Sequence, residues 1–327
     1  MRRREFIAFV GGAIALPQLA GANRPARPRR VGILALFPAS DPRVERQIEA
    51  FKQRLHDLGW KEQLNVAFDV RFPVNTAERF AAPAAELVAI SDIIVTSGTP
   101  PVQALQKLTK SIPIVMASVG DPVGTGLVAT LAKPGGNTTG FSLQATELAT
   151  KRLELLRDAL PGLSRVAFLW NPGNPSLALQ FRETGAAAAK LGIELQSFPV
   201  ATVREITEAT ASAARANAHA ICATSDGIQT TNRTLIAKLA LDHKLPLMGE
   251  FKTLADAGAF LSYGPLVDDL WVRAAEYVDR ILRGENAGDL PIQQPTKFEL
   301  VVNLQTAKAL GIAVPPSILA RADEVIE

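Results

Sequence analysis

Short apolar runs alternate with amphipathic stretches along most of this chain. The run from Arg30 to Phe37 is nearly continuous in apolar residues, as in a parallel strand that is covered on both faces. The stretch after it carries apolar residues three or four positions apart and ends at Gly59, which predicts a helix with one buried face. These apolar positions are Val44, Ile48, Phe51, Leu55 and Leu58. A strand followed by a helix is the repeating unit of a parallel α/β sheet.

The alternation continues to residue 142 and begins again at residue 145. In the first set, the predicted strands after the initial run are 65–72, 92–96, 113–117 and 139–142, and the predicted later helices are about 77–89, 101–110 and 124–131. The second set comprises helices at 145–160, 175–191, 203–216 and 228–243, with strands at 165–170, 194–199, 218–224 and 246–249. In both sets, a helix that follows a proline-containing turn ends at Leu-Gly, as at Leu58-Gly59 and Leu191-Gly192. The sequence therefore predicts an α/β protein with two similar, doubly wound parallel-sheet lobes.

Segments beyond residue 257 have no counterpart in a single lobe. They are a short apolar run at 259–263, a helix pattern from Leu270 to Ile281 and a tail from Thr296. We interpret them as segments that cross back between the lobes. The turn signal Lys133-Pro134-Gly135-Gly136-Asn137 is the strongest inside the chain, and it falls where a first crossing is expected.

The N-terminus carries the pattern of an export signal. Arg3-Arg4-Glu5-Phe6-Ile7 is a twin-arginine motif, and an apolar stretch and the small residues Ala20-Gly21-Ala22 follow it. The apolar stretch holds about ten residues, whereas a membrane-spanning helix needs roughly twenty. We therefore expect residues 1–22 to be a cleaved signal peptide, and the mature chain to work in the periplasm.

Charge and cysteine content narrow the function classes. Removing residues 1–22 removes three arginines and one glutamate, so the net charge falls from +3 to +1. No patch of Lys and Arg interleaved with aromatic residues occurs, which argues against a nucleic-acid partner. Cys222 is the single cysteine of the chain, so neither an internal disulfide nor a lipid-bearing cysteine at the cleavage site is expected.

Motifs of the common exported enzymes are missing from the sequence. There is no Gly-x-Ser-x-Gly, Ser-x-x-Lys or His-Glu-x-x-His pattern. The three histidines, His56, His219 and His243, lack the spacing of metal ligands. The loop at 134–140 resembles a phosphate-binding loop only loosely, because it lacks the Lys-Ser/Thr ending. We expect a protein without catalytic residues, metal or cofactor.

Short polar sequences follow several of the predicted strands. In an open α/β sheet the ligand crevice lies at the carboxyl ends of the strands, where hydroxyls, amides and helix N-termini can hold an anion and a carboxylate can hold a cation. Asp226 on one lobe facing Ser97 and Thr99 on the other would suit a zwitterion. The candidate ligand-binding residues are Ser40, Ser97, Gly98, Thr99, Ser118, Asp121, Asn171, Asn174, Ser225, Asp226, Glu250 and Tyr263.

The same residue types also cap helices, and the two roles are compatible. Asp121 precedes Pro122 and fits a cap better than the other candidates. Tyr263 fits either a pocket edge or a core position, and Glu250 is equally open. Two alternatives to ligand capture remain at this point: an exported enzyme that uses Asp226 and Glu250 as an acid/base pair, and a ligand-sensing module for a membrane receptor.

Several longer motifs resemble one known family. They are the Arg-Arg-x-Phe-Ile leader, Ile112-Pro113-Ile114-Val115 with Val119-Gly120-Asp121-Pro122-Val123, the turn 133–140, Ser262-Tyr263-Gly264-Pro265, and the tail Leu290-Pro291-Ile292-Gln293-Gln294-Pro295-Thr296-Lys297-Phe298-Glu299-Leu300 with Asn303 and the segment 307–316. Over essentially the whole chain they resemble the ABC-transporter substrate-binding proteins related to tryptophan-binding components. One departure is Leu266, where members of that family often carry Asn after Ser-Tyr-Gly-Pro.

This resemblance implies a type I periplasmic-binding fold, with two lobes joined by three crossings and a ligand held between them. It also implies a small-molecule ligand, a permease and its ATPase as partners, and membrane contact only through the permease. We expect a monomer. The predicted division is lobe 1 at 23–143 plus about 258–290 and lobe 2 at 144–257 plus about 291–327. The predicted hinge residues are Gly135, Gly136 and Gly258.

Overall fold

The first lobe is built around a parallel sheet of five strands. In the computed structural model, which describes residues 27–74 and 78–327, the strand order of this sheet is β2-β1-β3-β4-β5. The predicted signal peptide lies outside the described residues. The strands are β1 (Arg29–Leu34), β2 (Val66–Arg71), β3 (Ile93–Ser97), β4 (Ile114–Val119) and β5 (Thr138–Ser142). The helices between them are α1 (Pro42–Asp57), α2 (Ala81–Ile90) and α3 (Thr99–Leu108).

The second lobe repeats this architecture around a sheet of seven strands, in the order β12-β11-β10-β9-β8-β6-β7. All neighbours pair in parallel except β10 and β11, which are antiparallel. The first part comprises α4 (Ala145–Ala159), β6 (Arg165–Trp170), α5 (Pro175–Leu191), β7 (Glu194–Pro199), α6 (Val203–Arg215) and β8 (Ala220–Ala223). The rest comprises α7 (Gly227–Thr231), α8 (Arg233–Asp242), β9 (Leu247–Gly249), α9 (Lys252–Asp256), β10 (Leu261–Pro265), β11 (Phe298–Asn303), α11 (Leu304–Leu310), α12 (Pro316–Leu319) and β12 (Glu324–Ile326). The predicted fold class, two doubly wound α/β lobes, is confirmed.

The chain crosses between the lobes three times. It leaves lobe 1 after β5, returns after β10 as the helix α10 (Val267–Leu282), and leaves again between Gln293 and β11. The α10 helix belongs to lobe 1, because its apolar face shares a core with α1 and the first sheet. Phe51 of α1 is fully buried there, with its ring edge-on to Trp271 of α10.

The second crossing lies later than the sequence predicts. The predicted return to lobe 1 near residue 258 is wrong for the segment 258–265, because β10 pairs with β9 and β11 inside the second sheet. The chain enters lobe 1 only at α10. An apolar strand pattern indicates a buried strand but does not indicate which of two sheets contains it.

The predicted hinge glycines do not lie at a crossing. Gly135 and Gly136 form a turn before β5, where the Gly135 N–H donates to the carbonyl of Gly288 at 3.1 Å within lobe 1. Gly258 lies between α9 and β10 in lobe 2. The first crossing contains Gln144 instead, whose φ of +51° is in the left-handed region. Glycine-rich sequence marks any tight turn, including turns that lie within one lobe.

Two predicted helices differ from the structure. The segment 124–131 forms successive turns, in which the Gly124 N–H donates to the Asp121 carboxylate and Gly126 has a φ of +72°. The predicted helix 228–243 is interrupted at Asn232, so that it forms α7 and α8. Within residues 27–74 and 78–327, no helix has the length and apolarity required to cross a bilayer.

Candidate functional site

A cavity of about 1600 Å³ lies between the two lobes. Its walls come from the carboxyl ends of β3 and β4 in lobe 1 and from the loops after β6, β8 and β9 in lobe 2. This is the position that open α/β sheets use for ligands. The volume exceeds the roughly 300–1,000 Å³ of ordinary small-molecule pockets, because the cavity includes the open mouth of the cleft.

Most of the candidate ligand-binding residues line this cavity. Those in the lining are Ser97, Gly98, Thr99, Ser118, Asn171, Asn174, Ser225, Asp226 and Glu250. They come from both lobes, and the strand-end rule placed them correctly relative to the cleft. Their role in binding stays a prediction.

Ser40, Asp121 and Tyr263 lie outside the cavity lining. Ser40 is exposed on the loop before α1. The Asp121 carboxylate accepts hydrogen bonds from the Gly124 N–H at 2.8 Å and the Thr146 hydroxyl at 3.1 Å, so it holds a turn. Tyr263 stacks on Phe298, with ring centroids 6.2 Å apart, and packs against the core of lobe 2. The structure therefore gives Asp121 and Tyr263 structural contacts and places Ser40 on the surface, outside the cavity lining.

The lobe 1 wall is formed by the sharp turn between β3 and α3. Gly98 has a φ of +81°, which favours glycine, and a β-carbon there would lie 3.0 Å from Leu36. This turn presents Thr99 at the first position of α3. The Thr99 hydroxyl is buried and has no hydrogen-bond partner among the described residues. A buried hydroxyl without a partner is costly, so this group is available to a ligand.

The lobe 2 wall centres on Asp226, the N-cap of α7. One carboxylate oxygen accepts the N–H groups of Ile228 and Gln229, each at 3.1 Å, and the other accepts the Asn171 amide at 2.5 Å. Burial raises the pKa of Asp226, and the hydrogen bonds and the nearby Arg79 oppose that rise. Asp226 therefore serves as a cap and also borders the cavity.

Glu250 forms a buried ion pair with Arg152 beneath the cleft. The Arg152 guanidinium lies 3.3 Å from the Glu250 carboxylate and also donates to the carbonyl of Tyr263 at 2.7 Å. The second Glu250 oxygen accepts the Ser225 N–H at 2.9 Å. Burial raises the pKa of Glu250, opposed by the charge of Arg152. Burial likewise raises the pKa of the neighbouring Cys222 thiol to about 12, so this thiol stays protonated.

A second charged cluster links the two lobes beside the cleft. Asp41 caps α1 and pairs with Arg43 of its own helix at 2.6 Å. Arg233 of lobe 2 approaches the same carboxylate at 3.7 Å, so the pair extends across the lobes. Although burial would raise the pKa of Asp41, hydrogen bonds from Arg43 and the charge of both arginines hold this pKa below its ordinary value.

Helix α5 supplies further polar groups that the sequence did not single out. Ser176 and Gln180 lie one turn apart on its buried face, and both line the cavity. The Ser176 hydroxyl and the side-chain amide oxygen of Gln180 have no partner among the described residues. Ser176 lies against Gly120 of lobe 1, where a β-carbon would overlap its hydroxyl and lie 3.1 Å from its Cβ. The two lobes are thus in close contact at this point.

Arg79 also reaches the site from lobe 1 without having been predicted. Its guanidinium Nη1 lies 3.1 Å from the position that a β-carbon on Gly227 of lobe 2 would occupy. Its Nε atom is buried and has no partner among the described residues. Over the same residues, no group of three or more His, Cys, Asp or Glu side chains has the geometry of a metal site.

Sequence reasoning missed Arg79, Arg152 and Arg233 for different reasons. Arg152 did leave a signal, because it lies three or four positions from Leu148, Ala149, Leu155 and Leu156 on the apolar stripe of α4. An arginine in such a stripe indicates a buried partner. Arg79 and Arg233 lie in segments where a charged residue is ordinary, and only the meeting of the lobes gives them a role.

Comparison with known proteins identifies a family and a ligand-binding relative that are similar to this chain. A model of the ABC transporter substrate binding protein family matches residues 31–326, which include both sheets and all three crossings. The chain is similar to the tyrosine-binding protein of Clostridioides difficile (strain R20291), with 27% identity over 285 residues, which are 87% of this chain and 81% of that protein.

Two solved structures relate to the arrangement of the lobes. An ABC domain from Streptococcus pneumonia in complex with L-Trp has 26% identity and a TM-score of 0.83, covering 91% of this chain and 100% of that chain. The ligand-free, open structure of a substrate-binding protein with adhesive properties from Clostridium difficile has 25% identity and a TM-score of 0.64, covering 91% of this chain and 99% of that chain. Identity and coverage are nearly equal, so the difference in TM-score indicates that the lobes here are arranged more as in the L-Trp complex.

Proposed function

The chain belongs to the ABC transporter substrate-binding protein family, and we propose that it captures a small zwitterionic ligand, an amino acid or a close analogue, in the cleft between its lobes. In this proposal the mature protein is a periplasmic monomer, exported by its twin-arginine signal. It delivers its ligand to a membrane permease that is driven by an ATPase, and it leaves the covalent structure of the ligand unchanged.

The observation that carries this proposal is the distribution of polar groups over the two cleft walls. Lobe 2 presents the Asp226 carboxylate, which suits a ligand ammonium group. Lobe 1 presents the hydroxyls of Ser97, Thr99 and Ser118, which suit a carboxylate. A ligand with both charges would bind both walls at once and would therefore favour the closed form, because a ligand shifts an open-closed balance only through its differential affinity.

An aromatic amino acid fits the rest of the cleft. Phe37 and Trp271 of lobe 1 and Phe251 of lobe 2 are part of the cavity lining and give it apolar surface. The relatives with known ligands bind tyrosine and L-Trp. Micromolar affinity needs about 8 kcal/mol, which a few charge-assisted hydrogen bonds together with burial of one aromatic ring can supply.

The direct test identifies the ligand. Small molecules released from the purified mature protein are analysed by mass spectrometry, and the standard L-amino acids are then titrated by calorimetry into protein that has been unfolded, dialysed and refolded. We expect at least one amino acid to bind in the micromolar range or tighter, and to be recovered unchanged. Recovery of a chemically converted ligand would support an enzyme instead. The absence of binding to the whole set would refute the assignment of an amino-acid ligand.

The transport role has its own test. The cognate permease and ATPase, reconstituted in liposomes, are expected to hydrolyse ATP faster when the liganded protein is added. A receptor-type partner without an ATPase would favour the sensing alternative.

A further inference from the structure

Most of the charged side chains in the inner part of the cleft already have an ionic partner. Arg43 and Arg233 share Asp41, and Glu250 is paired with Arg152. Lys252 and Glu299 belong to a separate group with Asp256 and Glu324 at the edge of the second sheet. Besides Glu299, four charged residues of the lining have no ion-pair partner within 4.0 Å among the described residues, namely Glu78, Arg79, Lys107 and Asp226. Glu78 and Lys107 are exposed, whereas Arg79 is half-buried and Asp226 is buried. In the inner part of the cavity, Arg79 and Asp226 are therefore one cation and one anion without a salt bridge within that distance.

The position of Arg79 explains why its charge belongs to the site. Arg79 lies on the lobe 1 loop before α2, and its guanidinium reaches across the cleft to Gly227, directly after Asp226. The nearest atoms are Nη1 at 3.1 Å and Cζ at 3.6 Å from the place of a β-carbon on Gly227. A β-carbon at Gly227 would make a tight contact with Arg79, which the arginine side chain would have to relieve by a small shift. The Arg79 guanidinium also lies over the Phe80 ring, whose centroid is 5.4 Å from Cζ.

Arg79 also has hydrogen-bonding capacity that the protein does not use. A guanidinium carries five N–H donors in a planar fork, and the Nε donor of Arg79 is buried without a partner among the described residues. Buried donors without a partner are rare in folded proteins, and they call for an acceptor. Arg79 is part of the cavity lining, so a ligand in the cleft is the natural source of that acceptor.

We propose that Arg79 binds the carboxylate of the ligand as its specificity-determining partner, while the ammonium group of the same ligand lies at Asp226. This inference rests on the proposed function and narrows its ligand class to molecules that carry both groups. The charges of Arg79 and Asp226 sum to zero, so a zwitterion is matched, whereas an amine leaves Arg79, and a carboxylic acid leaves Asp226, without a ligand group of opposite charge. The hydroxyls of Ser97 and Thr99 then bind the carboxylate lone pairs that the guanidinium leaves free.

The test compares an amino acid with its carboxamide, which keeps the ammonium group and the side chain but loses the negative charge. The standard L-amino acids are titrated into the wild-type protein, and the tightest binder and its carboxamide are used as probes for Arg79→Gln and Arg79→Lys. The matched control is Arg71→Gln, because Arg71 lies in the same lobe outside the cavity lining and pairs with the exposed Glu86.

We expect the wild-type protein to prefer the amino acid over its carboxamide by at least tenfold. Arg79→Gln should weaken binding of the amino acid at least tenfold and change binding of the carboxamide by less than threefold, so that the preference disappears. Arg79→Lys should retain part of the preference for the amino acid, because a lysine keeps the positive charge but lacks the planar guanidinium group. Arg71→Gln should leave both affinities unchanged.

Two outcomes would overturn this inference while the proposed function stands. In the first, Arg79→Gln binds the amino acid as tightly as the wild-type protein. In the second, it weakens both probes equally, which would give Arg79 a role in lobe closure rather than in carboxylate recognition. If the wild-type protein binds no amino acid at all, the proposed function fails and this inference fails with it.

Discussion

Replacement of Arg152 by methionine isolates the buried ion pair under the cleft. The side chains of Arg152 and Glu250 are only 7% and 5% exposed, and the guanidinium also holds the carbonyl of Tyr263. Methionine keeps much of the length of arginine but removes its charge and donors. Glu250 would then keep a single backbone donor, Ser225. A buried carboxylate without its cation is among the more costly defects that one substitution can produce.

The expected loss follows from this geometry. Breaking a buried ion pair on one side costs about 3–5 kcal/mol of unfolding free energy. Removing both charges together leaves no buried charge to satisfy, so Arg152→Met combined with Glu250→Gln should regain about 2 kcal/mol or more of that loss. The double variant thus separates the cost of an unpaired charge from the cost of altered packing.

The stability loss caused by Arg152→Met also depends on pH, and the titration of Glu250 sets the direction of this dependence. Burial raises the pKa of Glu250 in the folded protein, and loss of Arg152 removes the charge that opposes this rise. Between the ordinary carboxyl pKa and the raised one, the folded variant binds a proton that the unfolded chain does not bind. Its stability therefore increases as the pH falls through that window, by at most about 1.4 kcal/mol per pH unit. The gap between the variant and the wild-type protein should narrow from pH 7.5 to pH 5.5.

Urea denaturation followed by circular dichroism at both pH values measures these changes. Arg157→Met is the matched control, because Arg157 lies on the same helix, is exposed and, among the described residues, pairs with Asp158 alone. We expect its effect to stay within about 0.5 kcal/mol. A loss below about 1 kcal/mol for Arg152→Met, or equal stabilities for the single and double variants, would refute the assignment of a buried, charged pair.

Three further predictions concern the cleft and its ends. Asp226→Asn keeps a helix-capping oxygen but removes the charge and replaces the oxygen that accepts the Asn171 amide with a donor, so calorimetry should show at least tenfold weaker amino-acid binding with about 1–3 kcal/mol lost in urea denaturation. Gly120→Val places a branched side chain against Ser176, so the liganded protein should show a larger radius of gyration by small-angle scattering, with affinity about tenfold lower. The pKa of Asp41 is held below its ordinary value, so its stabilising contribution is complete above that ordinary value and is lost as the pH falls through the lower folded-state pKa. The difference in unfolding free energy between the wild-type protein and Asp41→Asn should therefore shrink between pH 6 and pH 3.

Each of these three has an outcome that contradicts it. Unchanged affinity in Asp226→Asn would remove Asp226 from the site. For Gly120→Val the control is Gly185→Ala, since the nearest atom to a β-carbon at Gly185, in the middle of α5, is 3.9 Å away. The control should bind normally, and equal scattering profiles for both variants would exclude a steric block. A constant stability difference across the pH range would contradict the assignment of Asp41.

The strands and helices of each lobe were predictable because local pattern determines them. The apolar run before residue 37 becomes β1, and the stripe from Val44 to Leu55 packs on the sheet as the buried face of α1. The crossings were less predictable. A run such as β10 has the same apolar pattern in either sheet, and the choice depends on pairing with β9 and β11, which are separated from it in sequence.

The residues of the candidate site also fall into two groups, those that local sequence predicts and those that it does not. Ser97 is the last residue of β3, Asn171 follows β6 directly and Asp226 lies three residues after β8, so the strand-end rule placed them at the cleft. Arg79 and Arg233 act only because one lobe brings them to the other. No local pattern encodes that meeting, because it depends on how the two folded bodies face each other.

The position of α10 in lobe 1 limits how this chain can be divided into fragments that fold on their own. Lobe 1 consists of the segment before residue 143 together with residues 267–293, which are synthesised after most of lobe 2, so neither lobe corresponds to one uninterrupted fragment. A protein truncated after residue 265 would leave the apolar surface around Phe51 without the helix that covers it. During synthesis, that surface stays uncovered until Trp271 has emerged from the ribosome, and completion of the N-terminal lobe waits for contacts distant in sequence, which are slow to form.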